Sequence, residues 1–201
     1  MTKVKVCGLF REEDIGFVNI CKPDYAGFVI NYPKSHRSLD VDSVRHLVRL
    51  LDGDIQSVAV VVDQTIEDVI QLAHIFDIIQ LHGSEDEDYI KELKQSCSNT
   101  QVFKAFKVRS VSDVENARKS TADMVLLDNG YGTGEQFDWA LIDNFGRDFI
   151  LAGGISDLNV SDAIARFRPY AVDVSSGVET NRLKDLSKIR AFIEIVRKEM
   201  L

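Results

Sequence analysis

Eight short runs rich in apolar and β-branched residues recur along this chain, each followed by a stretch with helical spacing, and no other feature restricts the fold as tightly. The runs cover residues 4–7, 25–30, 55–62, 78–81, 102–106, 124–127, 149–152 and 171–174. The helical stretches between and after them cover 11–21, 41–50, 66–74, 86–95, 111–119, 138–144, 158–167 and 184–198. Strand and helix alternating in this way is the pattern of repeated βα units around a parallel sheet. In the last stretch Leu186, Ile189, Ile193 and Val196 fall three and four residues apart, which makes one apolar stripe for packing on a sheet. Eight units also fit an open doubly wound sheet, but that fold expects GxGxxG after its first strand, and the segment Val6-Cys7-Gly8-Leu9-Phe10-Arg11 has a single glycine. The expectation is an α/β chain forming a single-domain TIM (β/α)8 barrel over residues 1–201, a length single barrels commonly have. No Ser/Gly/Pro-rich linker interrupts the alternation.

Charge narrows the partners. With 24 basic and 32 acidic side chains the net charge is −8, the wrong sign for neutralising a phosphate backbone, so nucleic acid is not expected as a partner. The first ten residues turn quickly to Cys7-Gly8 and then to Arg11-Glu12-Glu13-Asp14, without the apolar core of a signal peptide. Apolar runs such as 58–62 fall far short of the roughly 20 residues that cross a bilayer. A cytoplasmic protein, without a membrane partner and monomeric, is expected. Cys7, Cys21 and Cys97 are odd in number and lie in no CxxC pair, and the four histidines form no HxxxH or HExxH, so neither a disulfide framework nor a metal site is expected.

A barrel of this kind carries its chemistry at the C-terminal ends of its strands, so the residues to inspect are those where each apolar run stops. The rule selects Cys7, the loop Lys34-Ser35-His36-Arg37, Asp63, His82-Gly83, Asp128, Gly153-Gly154 and Ser175-Ser176-Gly177. The small residues after strands seven and eight stand where barrels commonly hold a phosphate through backbone N–H groups, although each is also an ordinary tight turn. Cys7 is a nucleophile or base if reactive and a small buried hydrophobe if not. Asp128, ending the apolar run Met124-Val125-Leu126-Leu127, is placed to keep a proton near neutral pH through partial desolvation, or else to cap a turn. Arg37 suits a carboxylate held by two hydrogen bonds, or water; His82 has a supporting or structural place. The acidic run Glu85-Asp86-Glu87-Asp88 reads as a solvated helix start, since it lacks the glycine spacing of a calcium loop.

In order along the chain, these motifs resemble those of the phosphoribosylanthranilate isomerase family. Lys5-Val6-Cys7-Gly8-Leu9 is similar to its KxCGL-type opening strand, Gly27-Phe28-Val29 with Lys34-Ser35-His36-Arg37 to its GFxF and KSPR region, and Gln80-Leu81-His82-Gly83 to its QLHG turn. Leu126-Leu127-Asp128 with Gly132-Thr133-Gly134 and Phe137-Asp138-Trp139 resembles the sixth unit. Leu151-Ala152-Gly153-Gly154 and the segment from Val172-Asp173-Val174 through Ser175-Ser176-Gly177 to Val178-Glu179 resemble the phosphate-binding units. Phe10 departs from a small or hydroxylated residue, His36 from a proline and Leu183 from a glycine; these touch loop shape and affinity rather than a reactive group.

The resemblance implies an Amadori rearrangement of tryptophan biosynthesis, in which N-(5-phosphoribosyl)anthranilate becomes 1-(o-carboxyphenylamino)-1-deoxyribulose 5-phosphate without a cofactor. It implies Asp128 as the acid that opens the furanose and Cys7 as the base that takes the proton from the second sugar carbon. Arg37 would bind the anthranilate carboxylate, Gly154, Ser176 and Gly177 the phosphate, and His82 and Asp173 the sugar hydroxyls. A free thiol titrates at about 8.5, so the base needs a modest downward shift or turnover through a minority thiolate. The analogous isomerase of histidine synthesis has an aspartate at the first-strand base position, where this chain has Cys7. Indoleglycerol-phosphate synthase needs a catalytic lysine and an extra N-terminal segment. A barrel that binds a phosphate ligand without turnover would not need both Cys7 and Asp128.

Overall fold

The computed structural model describes residues 1–128 and 138–199. The family-like motif Gly132-Thr133-Gly134 and Phe137 lie outside the described residues. Eight parallel strands close on themselves: β1 (Lys3–Cys7), β2 (Tyr25–Ile30), β3 (Gln56–Val61), β4 (Ile78–Leu81), β5 (Gln101–Lys107), β6 (Met124–Asp128), β7 (Phe149–Leu151) and β8 (Ala171–Val174). Each pairs with the next, and β8 pairs back onto β1, with Lys5 opposite Asp173 on one side and Tyr25 on the other. The helices are α1 (Glu12–Cys21), α2 (Val41–Leu50), α3 (Ile66–Leu72), α4 (Glu87–Ser96), α5 (Val111–Lys119), α6 (Val160–Phe167) and α7 (Leu186–Lys198). Side chains of Asp40, Thr65, Asp86, Ser110 and Asp185 accept first-turn amide hydrogens, which explains where five of them begin. No helix among the described residues is long and apolar enough to cross a membrane.

Alternation along the strands divides the core in two. Outward residues such as Val4, Val6, Phe28, Ile79, Leu127 and Val172 join the helices in one apolar shell. There α7 buries Ile189, Ile193 and Val196 of the stripe expected from its spacing, together with Phe192, while Leu186 is partly buried. Inward residues Tyr25, Val58, Ile78, Phe103, Leu126, Ile150 and Ala171 fill the barrel. Toward the C-terminal ends the inward series stops being apolar: Lys5, Cys7, Gln80, Asp128 and Asp173 occupy the positions where more aliphatic side chains would pack. Because a buried polar group costs free energy unless partnered, that change marks the end of the barrel where function outweighs packing.

Among the boundaries that move, three do so for a clear local reason. Residues 138–144 form only a short 3-10 helix, Trp139–Ile142, ended by Asn144 at φ 57 and Gly146 at φ 83, left-handed conformations that no α-helix continues through. The sixth α-helix starts at Val160 rather than 158 because Asn159 is turned back: its amide donates to the Gly154 carbonyl at 2.8 Å and its oxygen accepts from Ser156 N–H at 2.9 Å. The last starts at Leu186 because Leu183–Lys184 pairs with Glu179–Thr180 as a short hairpin. Its turn residues Asn181 and Arg182 both have positive φ, the geometry of a tight two-residue turn, so the glycine expected at 183 is not needed.

Candidate active site

The C-terminal mouth of the barrel opens into a cavity of about 690 Å³. Cys7, Arg37, His82, Asp128, Gly154, Asp173 and Ser176 all line it, so the structure brings together seven of the eight residues singled out from the sequence. Gly177 stands one step behind: a Cβ there would collide with the Ile155 carbonyl oxygen and lie 3.1 Å from a Val174 methyl. Only glycine lets the loops after β7 and β8 approach this closely, while Gly153 and Gly154, at φ 79 and 70, turn the first of them. A Gly177→Ala variant is therefore expected to raise KM about tenfold by parting these loops, with kcat less affected. Steady-state kinetics checks this; an unchanged KM removes the loops from ligand binding.

On one wall, Cys7 ends β1 and is buried. Burial pushes its thiol above the ordinary value, while the ammonium groups of Lys5 and Lys184 pull the other way. Directly below, Lys5 is fully buried and its Nζ donates to both oxygens of Asp173 at 3.0 Å. Burial opposes its charge, but Asp173 and Cys7 outweigh that and raise its pKa. Asp173, expected to meet sugar hydroxyls, therefore has a structural partner of its own.

Facing it from β6, Asp128 is buried and its Oδ2 lies 3.3 Å from His82 Nε2. The other ring nitrogen, Nδ1, is 3.3 Å from the Gln80 amide. Gln80 is itself buried and lines the cavity, while its side-chain oxygen is closed off from solvent and has no hydrogen-bond partner among the described residues.

Arg37 enters from the loop after β2. Its Nε and Nη2 donate to the two oxygens of Glu179 at 2.8 Å each, which fixes the guanidinium plane, and both residues line the cavity. Gly8, at φ 78, makes room for it, since a Cβ would overlap Arg37 Cδ. Lys184 Nζ also donates to Glu179, at 2.7 Å, and to the Ser175 carbonyl at 3.0 Å. Burial alone would raise the Glu179 pKa, but Arg37 and Lys184 outweigh it and carry it down to about 2. A depressed carboxylate stabilises the fold fully above its unfolded value and loses that contribution as pH falls through its folded one. The melting advantage of the wild type over Glu179→Gln should therefore shrink between pH 4.5 and about 2; a pH-independent difference would contradict this. Nearby, two departures from the family pattern meet: the Phe10 and His36 rings pack edge to face with centroids 6.0 Å apart.

Residues the strand-end rule passed over are Lys5, Gln80, Glu179 and Lys184, together with Lys107 and Arg182 at the rim. Lys5 and Gln80 lie two residues before Cys7 and His82, so inward parity was the signal that finds them. Two other expectations are corrected. Asp63 faces away from the cavity and braces the loop after β4, accepting from Ser84 N–H at 2.6 Å and from its hydroxyl at 2.7 Å. In the acidic run, Asp86, Glu87 and Asp88 do start a helix, but Glu85 is buried, pairs with Lys104 at 2.8 Å and accepts from Asp63 and Gly83 N–H groups. Among the described residues no three histidine, cysteine, aspartate or glutamate side chains gather as metal ligands. A second hollow, of about 550 Å³, lies by Tyr170 and Arg147 at the N-terminal ends of β7 and β8, away from these groups.

A closed parallel barrel with a thiol, a carboxylate and an oriented guanidinium around its C-terminal mouth is a (β/α)8-barrel enzyme of the acid/base type. The comparisons with known proteins give the family. The model of the N-(5'-phosphoribosyl)anthranilate isomerase family matches residues 4–195. A relative of that name from Endomicrobium trichonymphae is 44% identical over 204 residues, covering 98% of this chain and 99% of its own. A crystal structure of the dimeric isomerase from Thermotoga maritima, solved as monomers, superposes with a TM-score of 0.87 at 34% identity, over 98% of this chain and 100% of that one. Another structure of the family, in complex with reduced 1-(o-carboxyphenylamino)-1-deoxyribulose 5-phosphate, has a TM-score of 0.84 at 33% identity, over 98% and 100%. The chain belongs to the N-(5'-phosphoribosyl)anthranilate isomerase family.

Proposed function

We propose that this chain converts N-(5-phosphoribosyl)anthranilate to 1-(o-carboxyphenylamino)-1-deoxyribulose 5-phosphate, the Amadori step of tryptophan biosynthesis, by general acid/base catalysis. The observation that carries this reading is that Cys7 and Asp128 end two different strands and face one cavity, with Arg37 and the glycine turns at its rim. Asp128 gives a proton to the furanose oxygen as the bond from that oxygen to the first sugar carbon breaks. The amine nitrogen's lone pair completes a C=N bond, and the resulting iminium acidifies the hydrogen on the second carbon. The Cys7 thiolate takes that proton, and the electrons left behind form the enolamine. Loss of the proton on the second carbon's hydroxyl and gain of one at the first carbon then give the ketone. Hydrogens move and no electrons are lost overall, so the chemistry is redox-neutral.

The far edge of Arg37 holds the anthranilate carboxylate, and backbone N–H groups of Gly154, Ser176 and Gly177 hold the phosphate at the other end. Anchoring both ends leaves the reacting carbons between base and acid. His82 orients Asp128, and Asp173 meets the sugar on the side away from Lys5. One domain over residues 1–201 acts as a cytoplasmic monomer; light scattering should give 22.6 kDa, and twice that mass would replace the monomer with a dimer. The reaction is tested by running it with substrate carrying carbon-13 at the second sugar carbon. A ketone resonance appearing only with protein supports the reading, and a signal that remains at the aminoaldose position rejects it.

A further inference from the structure

The barrel places one charge where packing alone would not. The barrel interior is filled largely by apolar side chains such as Val58, Phe103, Leu126 and Ile150, and an apolar residue at position 5 would desolvate no ammonium. Instead Lys5 carries a buried charge held by both oxygens of Asp173 at 3.0 Å, two residues before Cys7 on the same inward side of β1. The adjoining strand accommodates both side chains. Gly27 of β2 sits opposite Cys7 in register, and a Cβ there would lie 2.8 Å from Cys7 Sγ and 3.2 Å from Lys5 Nζ. Ammonium and sulfur thus share the space that a side chain on β2 would otherwise occupy.

We propose that Lys5 is a positioning residue for the base, an ammonium clamped by Asp173 that holds the Cys7 sulfur toward the cavity and determines how much of it is thiolate at a given pH. This rests on the reading of Cys7 as the base. The charged groups around the sulfur are Lys5 on its own strand, Asp173 on β8 and Lys184 on the hairpin after β8. Behind Lys184 stand Glu179 and Arg37, and on the β4 and β6 side of the mouth are His82 and Asp128. Lys184 already shares its proton donors between Glu179 and the Ser175 carbonyl, whereas Asp173 is negative and opposes the thiolate. Of these groups Lys5 is the one that bears the favourable charge and shares with the sulfur the space facing Gly27.

The test measures alkylation of Cys7 by iodoacetamide as a function of pH, read on the Cys7 peptide by mass spectrometry so that Cys21 and Cys97 do not contribute. Lys5→Met should move the midpoint upward by about one pH unit or more, a tenfold loss of thiolate below the midpoint, and the acid limb of kcat/KM should move with it. Lys5→Arg, which keeps the charge, should hold the midpoint near that of the wild type. If Lys5→Met fails to fold, Lys5→Met with Asp173→Asn leaves no lone buried charge and should still raise the midpoint, by a smaller amount. An unchanged midpoint in a folded variant overturns the proposal even where turnover falls. Alkylation requires no turnover, so a shifted midpoint beside a fully active Cys7→Ala protein would locate the failure in the base assignment and leave the hold of Lys5 on the sulfur standing.

Discussion

Cys7→Ala and Asp128→Asn are each expected to lower kcat on the order of a thousandfold while leaving the affinity for a reduced product analogue within a few fold. Both side chains end strands of the barrel, so neither replacement disturbs a loop that grips the ligand. Alanine at 7 removes a proton acceptor and leaves Lys5, Asp173 and Lys184 around an empty space that water can enter. Asparagine at 128 keeps the shape and a hydrogen bond toward His82 but has no proton to give to the ring oxygen. The two losses should not add in full in the double variant, because ring opening and proton removal lie on one path. Near-normal turnover in either single variant would refute the role assigned to that residue.

Arg37→Ala is expected to raise KM by about 10- to 100-fold with a smaller change in kcat, the size of a charge-assisted, two-point contact to a carboxylate. Its loss also leaves Glu179 with Lys184 as its remaining cation, so part of the effect would come from a disturbed hairpin. Melting temperature measured beside KM separates the two causes: a raised KM at an unchanged melting temperature marks the lost carboxylate contact, and a fall in both marks a disturbed hairpin. Lysine at 37 should not rescue, because one ammonium cannot grip Glu179 along one edge and a ligand carboxylate along another. Wild-type KM in Arg37→Ala would show that the substrate carboxylate binds elsewhere.

The fold was legible because its period is coarse: eight apolar runs separated by helical spacing survive an error of one or two residues at any boundary, and the strands occupy those positions. Where the expected boundaries slip, a side chain has a competing task that spacing does not display, as with Asn159 holding the Gly154 carbonyl and Lys184 reaching back to Glu179. The top of the site was equally legible, since a reactive residue at a strand's end needs only the barrel rule. The layer beneath was not. Lys5 reads as one more polar residue in a short strand until the closed sheet sets Asp173 beside it, a pairing across 168 residues. Glu85 misled for the same reason: an acidic residue looks solvated until its cation, here Lys104, is brought from another strand.

The most direct test of the central claim follows the fluorescence of freshly generated N-(5-phosphoribosyl)anthranilate after adding the purified protein. The account predicts that the signal falls with first-order kinetics, faster than spontaneous decay and in proportion to protein concentration, with the aminoketose as product. A folded protein that leaves the decay at its spontaneous rate, while a known isomerase consumes the same preparation, would contradict it.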